Sequence, residues 1–428
     1  MEEFKAGKKI SLANGGDITV IAKLGEGGQG TVYKVSYNGK EYALKWYFPK
    51  AMKQPDRFYK NLENNVTKGS PDKAFLWPQA VTQKQDGSFG YIMDLRPTNY
   101  VDFAKVLNAS VHFNSTSAVI NALLNMVLAF QALHRKGYSY QDINDGNFFV
   151  DPSNGDVLIC DNDNVAPHGE SLGVGGKSRY MAPEVVLGNS RPNYNTDLYS
   201  LSVILFMILF VSHPLEGAQV AKCPCLTETH ERKFYAEEPM FIFNPDNSDN
   251  RPVRGIHNNA ITLWPLFPQY LRDMFIRAFK EGLNENSRIT EQEWKKVLLR
   301  LRDDVYRCPK CREENFASAA QGGTAPCIGC KASISAPLIL QGKDFAIALL
   351  PQKAITAWHT EQGDFNEQMG VVVQNKNNPN LWGLRNLSDR MWQVSFPNGQ
   401  NKAVQKGEVF PAVKGVEIDF GGGKAVIQ

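Results

Sequence analysis

Over residues 10–94, short runs rich in β-branched and aromatic residues (DITVIAKL, GTVYKVSY, KEYALKWY, FGYIMDL) alternate with turns carrying Gly and Asn. Such runs predict a small antiparallel sheet, with one helix interrupting it at roughly 55–68. From about 100 to 304 the period changes. Val119, Ile120, Leu123, Leu124, Val127, Phe130 and Leu133 recur at three- and four-residue spacing, the apolar stripe of a helix, and Gly137 is placed to end it. The longest apolar stretch, 198–211, contains Ser200 and Ser202 and is shorter than the roughly 20 residues that cross a bilayer. It predicts a buried core helix. Residues 152–180 and 216–259 read as loops, the second long enough that partial order is expected. Beyond a cysteine-rich unit at about 306–336, short apolar strands with Gly, Asn and Pro turns run to Gln428 without a helical signal, which predicts a β-sandwich.

Composition narrows the classes. The 428 residues, 43% hydrophobic and 21% charged, suit several globular domains rather than a disordered chain. A net charge of only +3 exerts no bulk pull toward nucleic acid or membrane, so neither partner is expected. The start, MEEFKAGKKI, lacks the apolar run and cleavage site of a secretory signal. Seven cysteines, four of them in two Cys-x-x-Cys pairs, fit metal binding in a reducing compartment better than a disulfide framework, which places the protein in the cytoplasm.

The chemistry concentrates between Gly25 and Asp163. Gly25, Gly27 and Gly30, followed by Val32, form G-x-G-x-x-G, a turn whose backbone N–H groups can approach phosphates closely. The same spacing occurs in dinucleotide folds, but there a helix follows, whereas here the glycines lie between two strand-like runs. Fifteen residues beyond Gly30, Lys45 ends an apolar strand and can pair α- and β-phosphates if a carboxylate holds it. Glu63, on the 55–68 helix, is the candidate partner. Asp142 and Asn147, just after the amphipathic helix, can place a carboxylate near a substrate hydroxyl and an amide oxygen on a metal ion. The strand 157–160 then delivers Asp161 to Mg²⁺, with Asp163 the alternative.

Together these residues resemble a eukaryotic-like Ser/Thr protein kinase domain over about 15–304. The resemblance implies a bilobal fold with an N-lobe at 1–95 and a C-lobe at 96–304. It assigns Gly25, Gly27, Gly30 and Val32 to the ATP loop, Lys45 to the α/β-phosphates, Glu63 to its ion pair, and Met93 to Leu95 to the adenine hinge. Asp142 would be the catalytic base, with Asn147 and Asp161 holding Mg²⁺. Met181-Ala182-Pro183-Glu184 resembles the close of an activation segment, Asp197 the buried anchor of the catalytic loop, and Arg288 the partner of Glu184. Several neighbours depart from the pattern. Tyr140 and Gln141 replace His and Arg, so control by an activation-loop phosphate is not expected. Asn144 replaces a lysine, and Asp161-Asn162-Asp163 replaces Asp-Phe-Gly, predicting a strand end held in one state. Every phosphate and metal ligand is retained, which favours an enzyme over a pseudokinase scaffold, and Ala182-Pro183-Glu184 with Arg288 favours a protein substrate over a small molecule.

Cys308, Cys311, Cys327 and Cys330, with fifteen residues between the pairs, have the spacing of a four-thiolate zinc ribbon at 305–335. Four protein thiolates leave no open position, so the Zn²⁺ would be structural, and so short a segment should need it to fold. Residues 336–428 resemble a divergent forkhead-associated-type sandwich without its usual phosphothreonine-binding residues, which suggests partner docking or regulation. The whole chain is thus expected to be multidomain α+β. Its domain order resembles bacterial stress kinases encoded with a partner phosphatase and a von Willebrand-type protein, implying a role in signalling.

Overall fold

The computed structural model describes residues 3–52, 54–170, 176–320, 323–378 and 381–428. Residues 171–175, inside the expected 152–180 loop, lie outside them. Two compact units form, one from 1–265 with 272–295 and the other from 266–271 with 296–428.

The first unit opens with a six-stranded sheet ordered β1 (Lys9–Ser11), β2 (Asp17–Glu26), β3 (Gly30–Tyr37), β4 (Lys40–Tyr47), β6 (Gly90–Asp94), β5 (Ala80–Val81). Its pairings are antiparallel, with Val32 opposite Lys45 and Lys45 opposite Tyr91. Helix α1 (Pro55–Lys68) buries Phe58, Asn61, Leu62 and Asn65, at helical spacing on one face. Beyond the sheet come β7 (Val101–Asp102), the short α2 (Phe103–Leu107) and the long α3 (Thr116–Arg135). The next elements are β8 (Tyr138–Ser139), β9 (Phe148–Asp151), β10 (Asp156–Ile159) and β11 (Ala166–Pro167), then α4 (Pro183–Val186) and α5 (Tyr194–Phe210). Strands β9 and β10 form the hairpin that presents the loop before it and the turn after it.

From Thr196 onward α5 is buried on all sides, the mark of a core helix rather than an amphipathic one. Phe206 packs edge-on against Phe241, Phe275 and Phe279. Among the described residues α3 alone is long and apolar enough to cross a membrane, and most of that apolar surface is buried inside the unit. The 216–259 segment is partly ordered, as its length suggested. Asn250 holds it together, donating to the Leu215 and Met240 carbonyls at 2.8 and 2.7 Å.

The last turns of helix Glu291–Asp304 belong to the second unit. Polar partners there explain why: Asp303 takes His359 Nε2 at 2.7 Å, and Asp304 accepts from Tyr270 at 3.0 Å and from the Ser318 N–H at 2.8 Å. Two small hairpins follow, Val305–Arg307 with Glu314–Phe316 and Thr324–Pro326 with Ser333–Ser335. The rest is two antiparallel sheets, of six and four strands, sharing a core that includes Leu340, Val372, Leu384, Trp392 and Phe410. One short helix, Ala357–Glu361, interrupts the strands where none was expected.

In the first unit His134, near the end of α3, bridges two carboxylates, with Nε2 3.2 Å from Asp197 Oδ2 and Nδ1 against Glu291. Burial works against its charge, but the two hydrogen bonds and the two negative charges outweigh burial and raise its pKa from 6.5 to about 9. Stability from this site is therefore full below pH 6.5 and lost as pH rises through about 9. Urea unfolding of wild type and His134→Gln should show a gap that narrows across that window by on the order of 3 kcal/mol. A gap constant with pH would mean that His134 is not charged in the fold.

Candidate active site

The turn between β2 and β3 is built from Gly27, Gly28 and Gln29, closed by the Gly27 N–H on the Gly30 carbonyl at 2.9 Å. Gly30 has no alternative, because a Cβ there would lie 2.1 Å from the Trp46 carbonyl oxygen of the paired strand. At Gly25, Gly27 and Gly28 the same construction meets nothing within 4 Å, leaving backbone open to an approaching anion. Val32 lies beside this turn, and Met93 and Leu95 sit at and just beyond the end of β6, all packed in one apolar cluster with Ala43 and Leu158.

Lys45 is almost fully buried, and its ammonium cannot remain there unpaired. It donates to Asp163 Oδ2 at 2.8 Å, Asp161 Oδ1 at 3.2 Å and Gln29 Oε1 at 3.2 Å. Burial would lower its pKa, but the negative charges of Asp163 and Asp161 raise it instead. Asp163 is wholly buried and also accepts from the Tyr47 hydroxyl. The expected ion pair with Glu63 is not formed: Glu63 sits on the exposed side of α1. The packed face of that helix instead carries Asn61 and Asn65, whose amides donate to the Val165 carbonyl at 2.8 and 3.0 Å. The apolar spacing of Phe58 and Leu62 already places Glu63 off the buried stripe, a signal available in the sequence.

The loop Asp142–Asn147 is pinned by Asp197, which accepts the backbone N–H groups of Tyr140 at 2.6 Å and Gln141 at 3.1 Å. Gln141 adopts φ 71°, an uncommon conformation for a non-glycine residue, held by those bonds. Asn147 donates to the Asp142 carbonyl at 2.8 Å and to its carboxylate at 3.4 Å, leaving the amide oxygen as the end available to a metal. Asn144 donates to Asp142 Oδ1 at 2.9 Å. Burial pushes the Asp142 carboxyl up to about 6 against the pull of these two amides, and the charges of Asp161 and Asp163 add to the rise. Asp161 sits in the left-handed region at φ 52°, its carboxyl raised by burial and by Asp163. Asn162 fixes this turn, donating to the Leu76 and Ile159 carbonyls at 2.8 and 2.9 Å. The hard oxygens of Asp161 and Asn147 suit Mg²⁺, and buried oxygens of Asp163 and Asn164 without hydrogen-bond partners lie close by in sequence. Farther off, Glu184 accepts both bonds of a bidentate pair from Arg288 Nη2, at 2.8 and 2.7 Å.

In the second unit the four cysteine sulfurs lie within 4.8 Å of one another. The two pairs repeat one backbone pattern. Arg312 N–H bonds the Cys308 carbonyl and Lys331 N–H that of Cys327, with Arg312 and Lys331 both left-handed. Burial raises the Cys327 thiol, but backbone N–H groups of Cys330 and Gly329 and the Asn315 amide favour its thiolate and outweigh it.

A strand-rich lobe carrying a glycine turn and a buried lysine, joined to a helical lobe presenting Asp142, Asn147 and Asp161, defines a phosphotransfer-type fold. The model of the protein kinase domain matches residues 18–250, more than half of the chain, which therefore belongs to the protein kinase family. It is 25% identical to the dual specificity protein kinase shkB of Dictyostelium discoideum over 60% of this chain and 36% of that protein. It is 24% identical to the protein kinase YegI of Escherichia coli over 71% and 48% of the two chains. With the serine/threonine-protein kinase PknE of Mycobacterium bovis the identity is 27%, over 46% and 35%. The chain thus aligns with less than half the length of each of these relatives.

The Lys45–Asp163 contact has a direct consequence. Asp163→Asn leaves a buried ammonium with one carboxylate fewer and should cost about 3 kcal/mol in urea unfolding of the first unit. Glu63→Gln should stay within about 0.5 kcal/mol. The reverse ranking would restore Glu63 as the lysine's partner.

Proposed function

We propose that the chain is an ATP- and Mg²⁺-dependent Ser/Thr protein kinase that transfers the γ-phosphoryl group to protein hydroxyls. The observation carrying this reading is Asp142, a carboxylate oriented by Asn144 and Asn147 in the same unit as the Lys45, Asp161 and Asp163 cluster. In this reading the glycine turn and Lys45 bind the triphosphate, Met93 and Leu95 border the adenine, and Asn147 and Asp161 hold Mg²⁺. The metal would neutralise charge between the β- and γ-phosphates. Asp142 orients the acceptor hydroxyl and takes its proton. Most of the acceleration would come from positioning and fixed charge rather than covalent chemistry. The Glu184–Arg288 pair favours a protein acceptor, because it braces the segment on which a peptide would lie. The names of relatives such as PknE favour Ser/Thr specificity.

The second unit is read as a docking or regulatory module with a structural Zn²⁺. Zinc–sulfur bonds of about 2.3 Å in a tetrahedron require sulfur separations of about 3.8 Å. Cys308–Cys330 at 3.9 Å and Cys311–Cys327 at 3.5 Å suit that geometry. The forkhead-associated-like assignment stands on the resemblance of the runs at 370–375, 382–387 and 407–411 with Trp392, and the partner phosphatase and von Willebrand-type protein on the resemblance in domain order.

Two measurements test these readings. Incubation with labelled ATP and Mg²⁺ should label wild-type protein or an added protein substrate on Ser or Thr, and Asp142→Ala should lose at least about a hundredfold in rate. Equal labelling by both would remove Asp142 from its role, and nucleotide binding without labelling would favour a scaffold. For the metal, purified protein should carry about one zinc per chain, and stripping it should unfold the 305–335 segment. Intact hairpins in zinc-free protein would refute the structural role.

A further inference from the structure

We propose that Lys177 is a catalytic residue whose ammonium faces the oxygens of the transferred phosphoryl group. This rests on the phosphotransfer reading above and adds a group to it. In the transition state negative charge spreads over three equatorial oxygens, so catalysis needs positive charge on the acceptor side as well as on the nucleotide side.

The loop around Asp142 does not supply it. Asn144 is neutral and fully engaged, donating to the Asp142 carbonyl at 3.1 Å and carboxylate at 2.9 Å while accepting the Gly146 N–H at 3.0 Å. Asn147 and Asn164 also turn their amides to Asp142. Lys45 is buried and committed to Asp161 and Asp163. Around Asp142 the side chains of this loop therefore supply amides and no cation.

Lys177 is placed to correct this. The chain passes so near the base that a Cβ on Gly176 would lie 3.5 Å from Asp142 Oδ1, and one on Gly146 would lie 3.9 Å from Lys177 Nζ. The ammonium thus hangs over the Asp142–Asn147 loop, where it pairs with Asp145 Oδ1 at 2.8 Å. In that pair the Lys177 side chain is 56% exposed and Asp145 22%, whereas Lys45 is buried against its partners. A phosphoryl oxygen can therefore displace Asp145 from the solvated ammonium more readily than it could displace the partners of Lys45.

The root of the side chain is fixed while its head is solvent-exposed. The Lys177 carbonyl accepts from Tyr180 N–H at 2.9 Å, and Arg179 forms a bidentate pair with Glu216 at 3.0 Å on both bonds. The Arg179 carbonyl also lies 2.7 Å from His213 Nε2. A fixed root restricts the charge to the neighbourhood of Asp142.

The step balances without a further reactant. The acceptor oxygen forms its bond to the γ-phosphorus and its proton passes to Asp142. The bond from phosphorus to the β,γ-bridging oxygen breaks, and the nucleoside diphosphate leaves with that electron pair. Lys177 stays protonated, exchanging Asp145 for a non-bridging oxygen.

The test compares wild type, Lys177→Ala and Lys177→Ala/Asn144→Lys in full-length protein. It measures kcat, affinity for MgADP, and affinity for MgADP with aluminium fluoride, which mimics the planar phosphoryl group. Lys177→Ala should lower kcat by on the order of a hundredfold and weaken the fluoride complex at least about tenfold, with MgADP affinity held within about twofold. Moving the charge to position 144 should restore at least about tenfold of the lost rate. An active wild type matched by Lys177→Ala in kcat and fluoride affinity overturns the role of Lys177 alone. So does a parallel loss of MgADP affinity, which marks a structural defect. A wild type that transfers no phosphate defeats the kinase reading, and the proposal with it.

Discussion

A buried ammonium needs its counter-charges, and the requirement at Lys45 organises the first unit. The lysine is held on a central strand with almost no solvent, so carboxylates must be delivered to it from elsewhere in the chain. They come from the turn after β10, where Asp163 and Asp161 both reach it and Tyr47 adds a second bond to Asp163. That delivery explains the left-handed backbone at Asp161 and the two carbonyl contacts of Asn162, which hold the turn against the strand bearing Ile159. Asn162 and Asp163, where the resemblance expects an apolar residue and a glycine, thus hold the turn by hydrogen bonds.

The same arrangement changes what α1 does. Its packed face donates two amides to one carbonyl, Val165, and carries no charge toward the lysine. The counter-ion of Lys45 instead lies two residues from Asp161, the candidate metal ligand. Lysine and metal position are therefore coupled through a single short turn rather than through a helix that could swing. Burial raises the Asp142 carboxyl, the charges of Asp161 and Asp163 add to the rise, and the amides of Asn144 and Asn147 oppose it.

In the second unit, two small hairpins bury little apolar surface of their own and bring four cysteine sulfurs within 4.8 Å of one another. Cys308 and Cys327 lie in the same small core as Tyr306, Ile334 and Ala348. At the end of the preceding helix the buried Asp303 pairs with His359, anchoring the last helical turns to this unit.

Local order was largely legible along the chain. The strand periods, the helix at 55–68, the Asp142–Asn147 spacing and the twin cysteine knuckles all depend on residues within a few positions of one another, where backbone geometry leaves little choice. What the chain alone could not decide was which carboxylate meets Lys45. The spacing of Phe58 and Leu62 argues against Glu63, but Asp163 lies 118 residues from Lys45 and arrives through the turn that follows the β9–β10 hairpin. The side of α1 that faces inward was settled by Phe58 and Leu62 entering the core, which turned Glu63 to water. Likewise nothing in the sequence singles out Lys177, whose neighbour Gly176 the fold lays against Asp142. Sequence patterns record short-range geometry, whereas the electrostatics of a site depend on distances that packing alone determines.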